Sequence, residues 1–442
     1  MKNFIQTIKN IFSIEELRTR ILYTLGFLVV FRLGSFIVLP GVNPAAVKDS
    51  GEAEGILGII NTFSGGAFSN VSVLGLGIMP YITASIVIQL LSFAVPYFQK
   101  LQKEGDSGRK KINNYTRLLT VVIATAQSIG YLATYVKPEM ILSGMDTGTY
   151  VITRVAALVA GTMFCLWLGE KITDKGIGNG VSMLIMVGII SRLPQAILIE
   201  AGTKGLKGSL PFVIELIAFF FIIMGVVAIT QAVRRIPVQY AKQIIGNQAV
   251  GGQRQYLPLK VIGAGVMPII FAQSVMFLPA LIGSFFQNND TITAISVALS
   301  DFTSWQYNVT TATLIIVFTF FYTAISINPR QIADDMRRNG GFVPGVKPGD
   351  QTSEYIDQIL SKITLPGAIF LALVAAMPAF ASMAGVQREF AYFFGGTSLL
   401  IMVGVILDTL QQVESFLLMR QYEGMMKSGR IKGRNQTTAV AV

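Results

Sequence analysis

Long apolar runs separated by polar stretches dominate the hydrophobic pattern of this chain. Ten runs have about the twenty residues that a helix needs to cross the hydrocarbon core of a bilayer. They cover residues 21–39, 75–95, 118–136, 151–168, 181–199, 212–230, 261–285, 309–327, 363–383 and 393–410. Because unsatisfied backbone groups are costly in lipid, such runs must form helices rather than open strands. The pattern predicts an all-α membrane protein of about ten transmembrane helices, called spans 1 to 10 below.

The amino-acid composition also favours lipid over water as the surrounding solvent. Of the 442 residues, 52% are hydrophobic and only 13% are charged, whereas a soluble domain carries about 25% charged residues. The chain has no histidine and a single cysteine, Cys165, which lies within an apolar run. This composition excludes a disulfide framework and disfavours zinc chemistry and histidine catalysis. We therefore expect no metal, no cofactor and no enzymatic activity.

The distribution of basic residues predicts the orientation of the spans. An even number of spans puts both termini on one side, and most of the 35 lysines and arginines then fall on that side. They cluster in residues 1–20, between spans 2 and 3, in the loops 232–260 and 328–362, and in the tail 414–442. Because cytoplasmic loops are enriched in basic residues, we place both termini in the cytoplasm. Residues 1–20 form a basic amphipathic segment, predicted to be either a solvated helix or a helix along the membrane surface.

An eight-residue similarity indicates an internal repeat. Residues 77–84, at the start of span 2, align without a gap to residues 265–272, at the start of span 7. Glycine and proline are frequent in membrane helices, so the match alone is equally consistent with coincidence. Together with the count of ten spans, it favours two halves of five spans, 21–205 and 206–413, with the second half inverted. Such repeats place the working site near the bilayer midplane, between the halves.

Residues 55–70, between spans 1 and 2, do not form an ordinary span. They are apolar enough to leave water, but they are too short and too rich in glycine to cross a bilayer. A segment of this kind is tolerated at membrane depth only where protein or a cavity surrounds it. The segment is therefore either a re-entrant plug or a folded external loop, and periodicity alone does not separate the two.

The loops 232–260 and 328–362 are long, polar and rich in turn residues. Loops of that length commonly serve a partner. In the second loop, Pro344-Gly345 and Pro348-Gly349 are expected to form rigid turns that hold Lys347 at a tip. Lys347 is therefore a candidate contact for a partner.

Seven short motifs occur along the chain in a specific order. They lie at 32–36 (RLGSF), 77–82 (GIMPYI), 103–105 (KEG), 173–180 (TDKGIGNG), 258–261 (PLKV), 342–345 (FVPG) and 395–401 (GGTSLLI). In order and spacing they resemble the SecY family of protein-conducting channels, over nearly the whole chain. The resemblance implies a channel that passes unfolded polypeptides across the bacterial plasma (inner) membrane and releases signal sequences and transmembrane helices sideways into lipid. It further implies a plug, and a lateral gate between spans 2 and 7.

The resemblance also assigns site residues by motif position. The narrowest point of the channel would be a ring of aliphatic side chains, Ile82, Ile86, Ile185, Ile189, Ile270 and Ile401. The plug would present Ile56, Leu57, Ile59, Ile60 and Phe63. Within the internal repeat, Ile82 aligns with Ile270. A narrow apolar ring resists wetting, so ions meet a barrier while no chain is passing.

Three polar residues lie within the two spans of the implied gate, namely Gln89 in span 2 and Gln273 and Ser274 in span 7. Side-chain hydrogen bonds between membrane helices contribute only about 0.6–2 kcal/mol. We hypothesise that these residues hold the gate shut weakly, so that an apolar signal helix can displace the contact.

Partners are implied by the resemblance as well. They are the small membrane subunits SecE and SecG, the motor ATPase SecA and the ribosome, with signal peptides and preproteins as substrates and the lipid bilayer as surroundings. The candidate contacts in the two loops are Arg234, Arg235, Arg254 and Lys347. The chain departs from the family pattern at Lys347, where many members have arginine, and at Asn247 and Gln248, where arginines often follow a glycine. Lysine cannot bind a carboxylate in the bidentate manner of arginine, so the resemblance implies partner binding through these loops without fixing the individual contacts.

Two other classes of membrane protein deserve comparison. A secondary transporter can share inverted repeats, but its midplane site needs charged or polar groups for a substrate and a coupling ion. The candidates for such groups are Asp408, Arg32 and Arg154, and none of them lies in the repeat. A membrane-embedded enzyme without histidine would need a carboxylate pair or a serine–lysine arrangement within the spans, and the sequence has neither.

Overall fold

A helix occupies each of the ten predicted spans in the computed structural model, which describes residues 12, 14–49, 61–136, 140–141, 147–204, 209–240, 243–245, 248–250, 254–263, 265–285 and 290–427. From span 1 to span 10 the helices are Glu15–Gly34, Met79–Ala94, Asp106–Tyr135, Thr147–Lys175, Gly180–Lys204, Ser209–Thr230, Met267–Phe285, Trp305–Ser326, Asp350–Met383 and Gly396–Lys427. Shorter helices cover Pro44–Asp49, Pro96–Lys103, Asp290–Ala298, Pro329–Arg338 and Arg388–Ala391.

Hydropathy and length single out most of these helices as membrane-spanning. Among the described residues, seven helices are long and apolar enough to cross a membrane, and span 2 joined to Pro96–Lys103, which bends away from it by 98°, makes an eighth. Span 1 carries Arg18, Arg20 and Arg32, and span 7 is found as an apolar helix over Met267–Met276. The prediction of a mainly helical, multi-pass membrane protein is confirmed.

The starts of spans 2 and 7 have the same local structure. Gly77 and Gly265 both have a positive φ, +54° and +61°, which glycine adopts without the steric cost that a side chain would bring. Their N–H groups donate to the carbonyls three residues earlier, those of Leu74 (2.8 Å) and Ile262 (3.2 Å). A Met-Pro pair then begins each helix, and proline is tolerated in the first turn because its missing N–H would have no partner there. The similarity in sequence thus corresponds to a repeated turn.

The packing of the helices repeats in the same way. In the first half, spans 2 and 3, 3 and 4, and 4 and 5 are in contact, and span 1 contacts spans 4 and 5. In the second half, spans 7 and 8, 8 and 9, and 9 and 10 are in contact, and span 6 contacts span 10. The halves meet where span 2 packs against span 7 and span 5 against span 10. The largest apolar core lies between them and draws on both.

A second apolar cluster holds the end of the segment that leads into span 2. Its centre is Phe68, whose ring packs edge-on against the ring of Tyr131 with centroids 4.6 Å apart. The Tyr131 hydroxyl donates a hydrogen bond to the Phe68 carbonyl oxygen at 2.6 Å. Backbone bonds from Leu39 to Val71 and from Val73 to Ile37 continue this attachment. The cluster therefore fixes this segment to spans 1 and 3.

The two polar loops meet in one small sheet that the sequence does not predict. Strands β1 (Val233–Tyr240), β2 (Gln243–Ile245), β3 (Gln248–Val250) and β4 (Arg254–Lys260) come from the first loop, and β5 (Gly341–Phe342) comes from the second. The order is β4-β1-β5 with antiparallel pairs, while β2 and β3 form a separate hairpin. A core of its own binds this sheet to the first turns of span 9, and its buried members are Ile236, Val238, Leu259, Met336, Val343, Ile356 and Leu360. Span 9 therefore begins at Asp350, thirteen residues before the apolar run predicted from hydropathy.

Candidate pore, plug and gate

The six isoleucines of the predicted ring lie in one apolar core. Five are buried, namely Ile82, Ile86, Ile185, Ile189 and Ile401. Ile270 is half-buried and packs against the same core. These residues come from spans 2, 5, 7 and 10, so each half of the molecule contributes two spans.

Four of the six isoleucines also face a common space. A cavity of about 260 Å³ is lined by Ile82, Ile185, Ile270 and Ile401, together with Phe63, Met79, Gln273 and Thr397. Ile86 and Ile189 lie one helical turn further along spans 2 and 5, on the same helix faces, but they do not line this cavity. Four of the six predicted ring residues therefore line one cavity in the structure.

Met79 and Thr397 line the same cavity and were not among the predicted site residues. Both lie within motifs that carry the family resemblance, at 77–82 and 395–401. Their motif positions were therefore visible in the sequence. The side that each presents to the cavity depends on how spans 2 and 10 are rotated, which no local pattern reports.

The Phe63 side chain lines three cavities. Besides the 260 Å³ cavity it lines one of about 300 Å³ near Phe31 and Leu184, and one of about 480 Å³ near Tyr307 and Ser398. Its side chain is 7% exposed, and residues 61–68 are buried throughout. Burial of this kind favours a re-entrant segment over a folded external loop. The other predicted plug residues, Ile56, Leu57, Ile59 and Ile60, lie outside the described residues.

The polar residues of the predicted gate form hydrogen bonds elsewhere. Spans 2 and 7 are in contact, but the Gln89 side chain donates to Ser85 Oγ on its own helix at 3.4 Å. Ser274 Oγ likewise donates to the Ile270 carbonyl of span 7 at 2.9 Å. Gln273 Nε2 donates to the Tyr307 hydroxyl of span 8 at 3.3 Å. In the part of the chain that the structure describes, these side chains do not bridge spans 2 and 7.

The tip of the second loop has the predicted turns. Gly345 has a φ of +88°, and the Val346 N–H donates to the Val343 carbonyl at 3.1 Å, as a turn with proline and glycine at its centre requires. Gly349, with φ +103° and ψ −132°, precedes the first residue of the span 9 helix. The Thr352 hydroxyl donates to the Lys347 carbonyl at 2.9 Å, and the Lys347 side chain is exposed between the two turns.

The remaining candidate contacts lie in the first loop. Arg234 and Arg235 are exposed on β1, opposite Leu259 and Pro258 of β4. Arg254 is the first residue of β4, and Gln248 is the first residue of β3. Asn247 lies outside the described residues. Because β5 of the second loop pairs with β1, the candidate contacts of both loops belong to one connected unit.

The described residues hold no group of three or more histidine, cysteine, aspartate or glutamate side chains that could bind a metal ion. Cys165 is buried in the core of span 4.

Comparison with known proteins assigns the chain to a family. A family model described as SecY matches residues 72–410. The chain belongs to the SecY family. Its curated relatives in this family include the protein translocase subunit SecY of Bacillus licheniformis, which is 42% identical over 433 residues, 96% of this chain and 99% of the relative. The SecY of Haemophilus influenzae is 44% identical over 430 residues, 95% of this chain and 96% of the relative.

Solved structures confirm the SecY-like fold. A structure described as "The structure of a protein conducting channel" has a TM-score of 0.65 at 16% identity, covering 90% of this chain and 92% of the other. The Sec61 chain of the canine ribosome-channel complex has a TM-score of 0.61 at 15% identity, with the same coverage. At these identities the likeness shows the fold alone, and it agrees with the family assignment made from sequence.

Proposed function

We propose that this chain is the channel subunit of a protein translocase in a bacterial plasma membrane. Unfolded polypeptides would pass between the two halves, through the ring formed by Ile82, Ile185, Ile270 and Ile401. The observation that carries this proposal is the single cavity that these four side chains share with Phe63. Four spans and both halves contribute to it, as a pore on the axis of an inverted repeat would require. No catalytic step is assigned to the chain.

An apolar ring suits a channel that must carry many sequences without leaking. Constrictions lined by hydrophobic side chains gate by dewetting, so they oppose ions without a tight mechanical fit. Isoleucine side chains can also close around a passing chain without demanding any particular hydrogen-bond partner. In the resting state, the buried segment around Phe63 would fill the space beside the ring.

A secondary transporter is the alternative with a comparable architecture. Its site needs charged or polar groups that bind a substrate and a coupling ion. The three cavities described around Phe63 are lined without any aspartate, glutamate, lysine or arginine, and the polar groups of the 480 Å³ cavity are neutral hydroxyl and amide side chains such as Asn308, Thr311 and Ser398. Asp408, the carboxylate closest to such a role in the sequence, is exposed on span 10. These observations favour a polypeptide channel.

Lateral release of apolar segments is assigned to the contact between spans 2 and 7. Each of these spans begins at a repeated glycine turn, and the two helices pack directly against each other. Separating them would open a path from the ring to lipid. Gln273 lines the ring cavity and bonds to span 8, so we assign it to the anchoring of span 7 rather than to a bond across the gate.

Cytoplasmic partners are assigned to the sheet formed by the two polar loops. Arg234, Arg235 and Lys347 are exposed there, and basic side chains on an exposed surface attract acidic partners. We propose SecA and the ribosome for this surface, SecE and SecG as membrane subunits, and signal peptides and preproteins as substrates. Two structural neighbours are described as ribosome complexes, canine Sec61 and yeast Ssh1. The basic bias of the same side supports cytoplasmic termini.

The assignment of the ring can be tested by measuring ion leak across the membrane of vesicles that contain the reconstituted chain. Ile270→Asn and Ile401→Asn place an amide in the ring cavity, where it can bind water, so both should raise ion leak in the absence of substrate. Ile406→Asn is the matched control, because Ile406 lies on the same helix as Ile401 but is 41% exposed on the outside. Equal leak from all three variants, or from none of them, would contradict the assignment of the ring.

A further inference from the structure

Residues 63–69 pack against span 5 through a notch that only glycine leaves open. A Cβ atom on Gly188 would lie 2.2 Å from the carbonyl oxygen of Phe63 and 3.2 Å from the amide nitrogen of Gly65. A Cβ atom on Gly65 would lie 2.9 Å from the Gly188 Cα. The two backbones therefore touch directly. Gly65 and Gly66 have φ values of +65° and +91°, a turn that brings the segment back along span 5.

Two arginines bind this turn from opposite ends. Arg32 of span 1 donates from Nη1 to the Gly65 carbonyl oxygen at 2.7 Å. Arg192 of span 5 donates from Nη2 to Ser69 Oγ at 3.0 Å, and a Cβ atom on Gly66 would lie only 3.1 Å from Arg192 Nε. Hydrogen bonds from a charged donor are stronger than those between neutral groups.

Both arginines lie in membrane-spanning helices, where a charge without a hydrogen-bond acceptor is expensive. The two positive charges also repel each other. Removing residues 63–69 from the notch would take an acceptor from each guanidinium group at once. The arginines therefore favour the state in which this segment remains in place.

We propose that Arg32, Arg192 and Gly188 are positioning residues that form a dock for residues 63–69 and set how much of the time the plug is closed. Gly188 leaves room for the backbone of residues 63–69 to contact span 5. Arg32 and Arg192 each donate one hydrogen bond to this segment. The sealing role of the plug rests on the function proposed above, but the dock itself is a statement about where this segment lies.

Thiol accessibility measures the dock directly. In a Cys165→Ala background, Ala67→Cys places a thiol at a position that is 0% exposed. The rate at which this thiol reacts with a water-soluble maleimide is measured in the full-length chain in lipid nanodiscs. Gly188→Ala should raise this rate because the added methyl cannot fit, although alanine is otherwise the better helix former. Gly225→Ala in span 6 is the matched control, since a Cβ atom there meets nothing within 4 Å.

Arg32→Lys and Arg192→Lys keep the charge and lose the guanidinium geometry. Each should raise the maleimide rate by about tenfold, the factor that corresponds to one lost hydrogen bond from a charged donor. If Gly188→Ala and both arginine variants react no faster than Gly225→Ala, the dock is overturned. If the rate rises while ion leak from vesicles of the same variants stays unchanged, the dock stands and the sealing role of the plug fails.

Discussion

Arg154 shows how a single charged side chain is accommodated within a membrane-spanning helix. It is 1% exposed in span 4, a position at which a lone charge would be expensive. Its guanidinium group donates to the Tyr150 carbonyl at 3.1 Å and to the Gly41 carbonyl at 2.8 Å, and it lies against the Tyr150 ring. The bond to Gly41 ties span 4 to the turn after span 1. Arg154 is thus a structural link rather than an ion-coupling group.

Replacing this arginine should destabilise the chain measurably. Arg154→Lys cannot reach both carbonyls with the same geometry, and an unsatisfied buried acceptor costs about 1–3 kcal/mol. Cys165 provides the measurement, because it is the only cysteine and is fully buried, so a thiol-reactive dye reports thermal unfolding. Arg117→Lys is the control: its ion pair with Glu170 is exposed and contributes at most about 1 kcal/mol. Equal melting temperatures for the two variants would contradict the structural role of Arg154.

At the level of secondary structure, one sheet joins the two polar loops to which partner binding is assigned above. β1 pairs with β4 from its own loop and with β5 from a loop about a hundred residues later. The buried side chains of this sheet pack on the first turns of span 9, including Ile356 and Leu360. A partner that pushes on the sheet therefore pushes on span 9. The two loops therefore form one packed unit rather than two independent segments.

Charge reversal at the tip of the second loop tests the partner assignment. Lys347→Glu should weaken binding of the motor ATPase or of ribosomes to the reconstituted channel by about tenfold at low salt, and less at high salt, because the contact is electrostatic. Lys362→Glu is the matched control, since Lys362 is exposed on the span 9 helix three turns away from the tip. Binding of both partners that is unchanged by Lys347→Glu would remove this residue from the contact surface.

The local sequence pattern predicted the helices and turns, but it did not predict which of them contact each other. Hydropathy predicted all ten helices, and the glycine and proline positions predicted both the repeated turn at Gly77 and Gly265 and the turns beside Lys347. The sheet was missed because β1 contains Pro237 and its pairing with β5 depends on distant residues. The bonds from Gln273 to Tyr307 and from Arg32 to the Gly65 carbonyl were missed because helix rotation and loop path decide them.

At the scale of the whole molecule, two halves with the same packing order enclose one apolar constriction. Each half contributes two isoleucines to the cavity that Phe63 also lines. The direct contacts of spans 2 and 7 and of spans 5 and 10 lie across the boundary between the halves. A rotation of one half against the other would therefore change the diameter of the ring and the width of the gate together. Pore opening and lateral opening are expected to be coupled.

Contact between the ring and a polypeptide in transit can be measured directly by crosslinking. A photo-crosslinking amino acid is placed at position 82, 185, 270 or 401 in turn, and a preprotein is stalled halfway through the reconstituted channel. All four positions should crosslink to the stalled chain, whereas position 406, on the outside of span 10, should crosslink only to lipid or to neighbouring subunits. Crosslinks from position 406 to the stalled chain, or the absence of crosslinks from the four ring positions, would show that polypeptides do not pass through this ring.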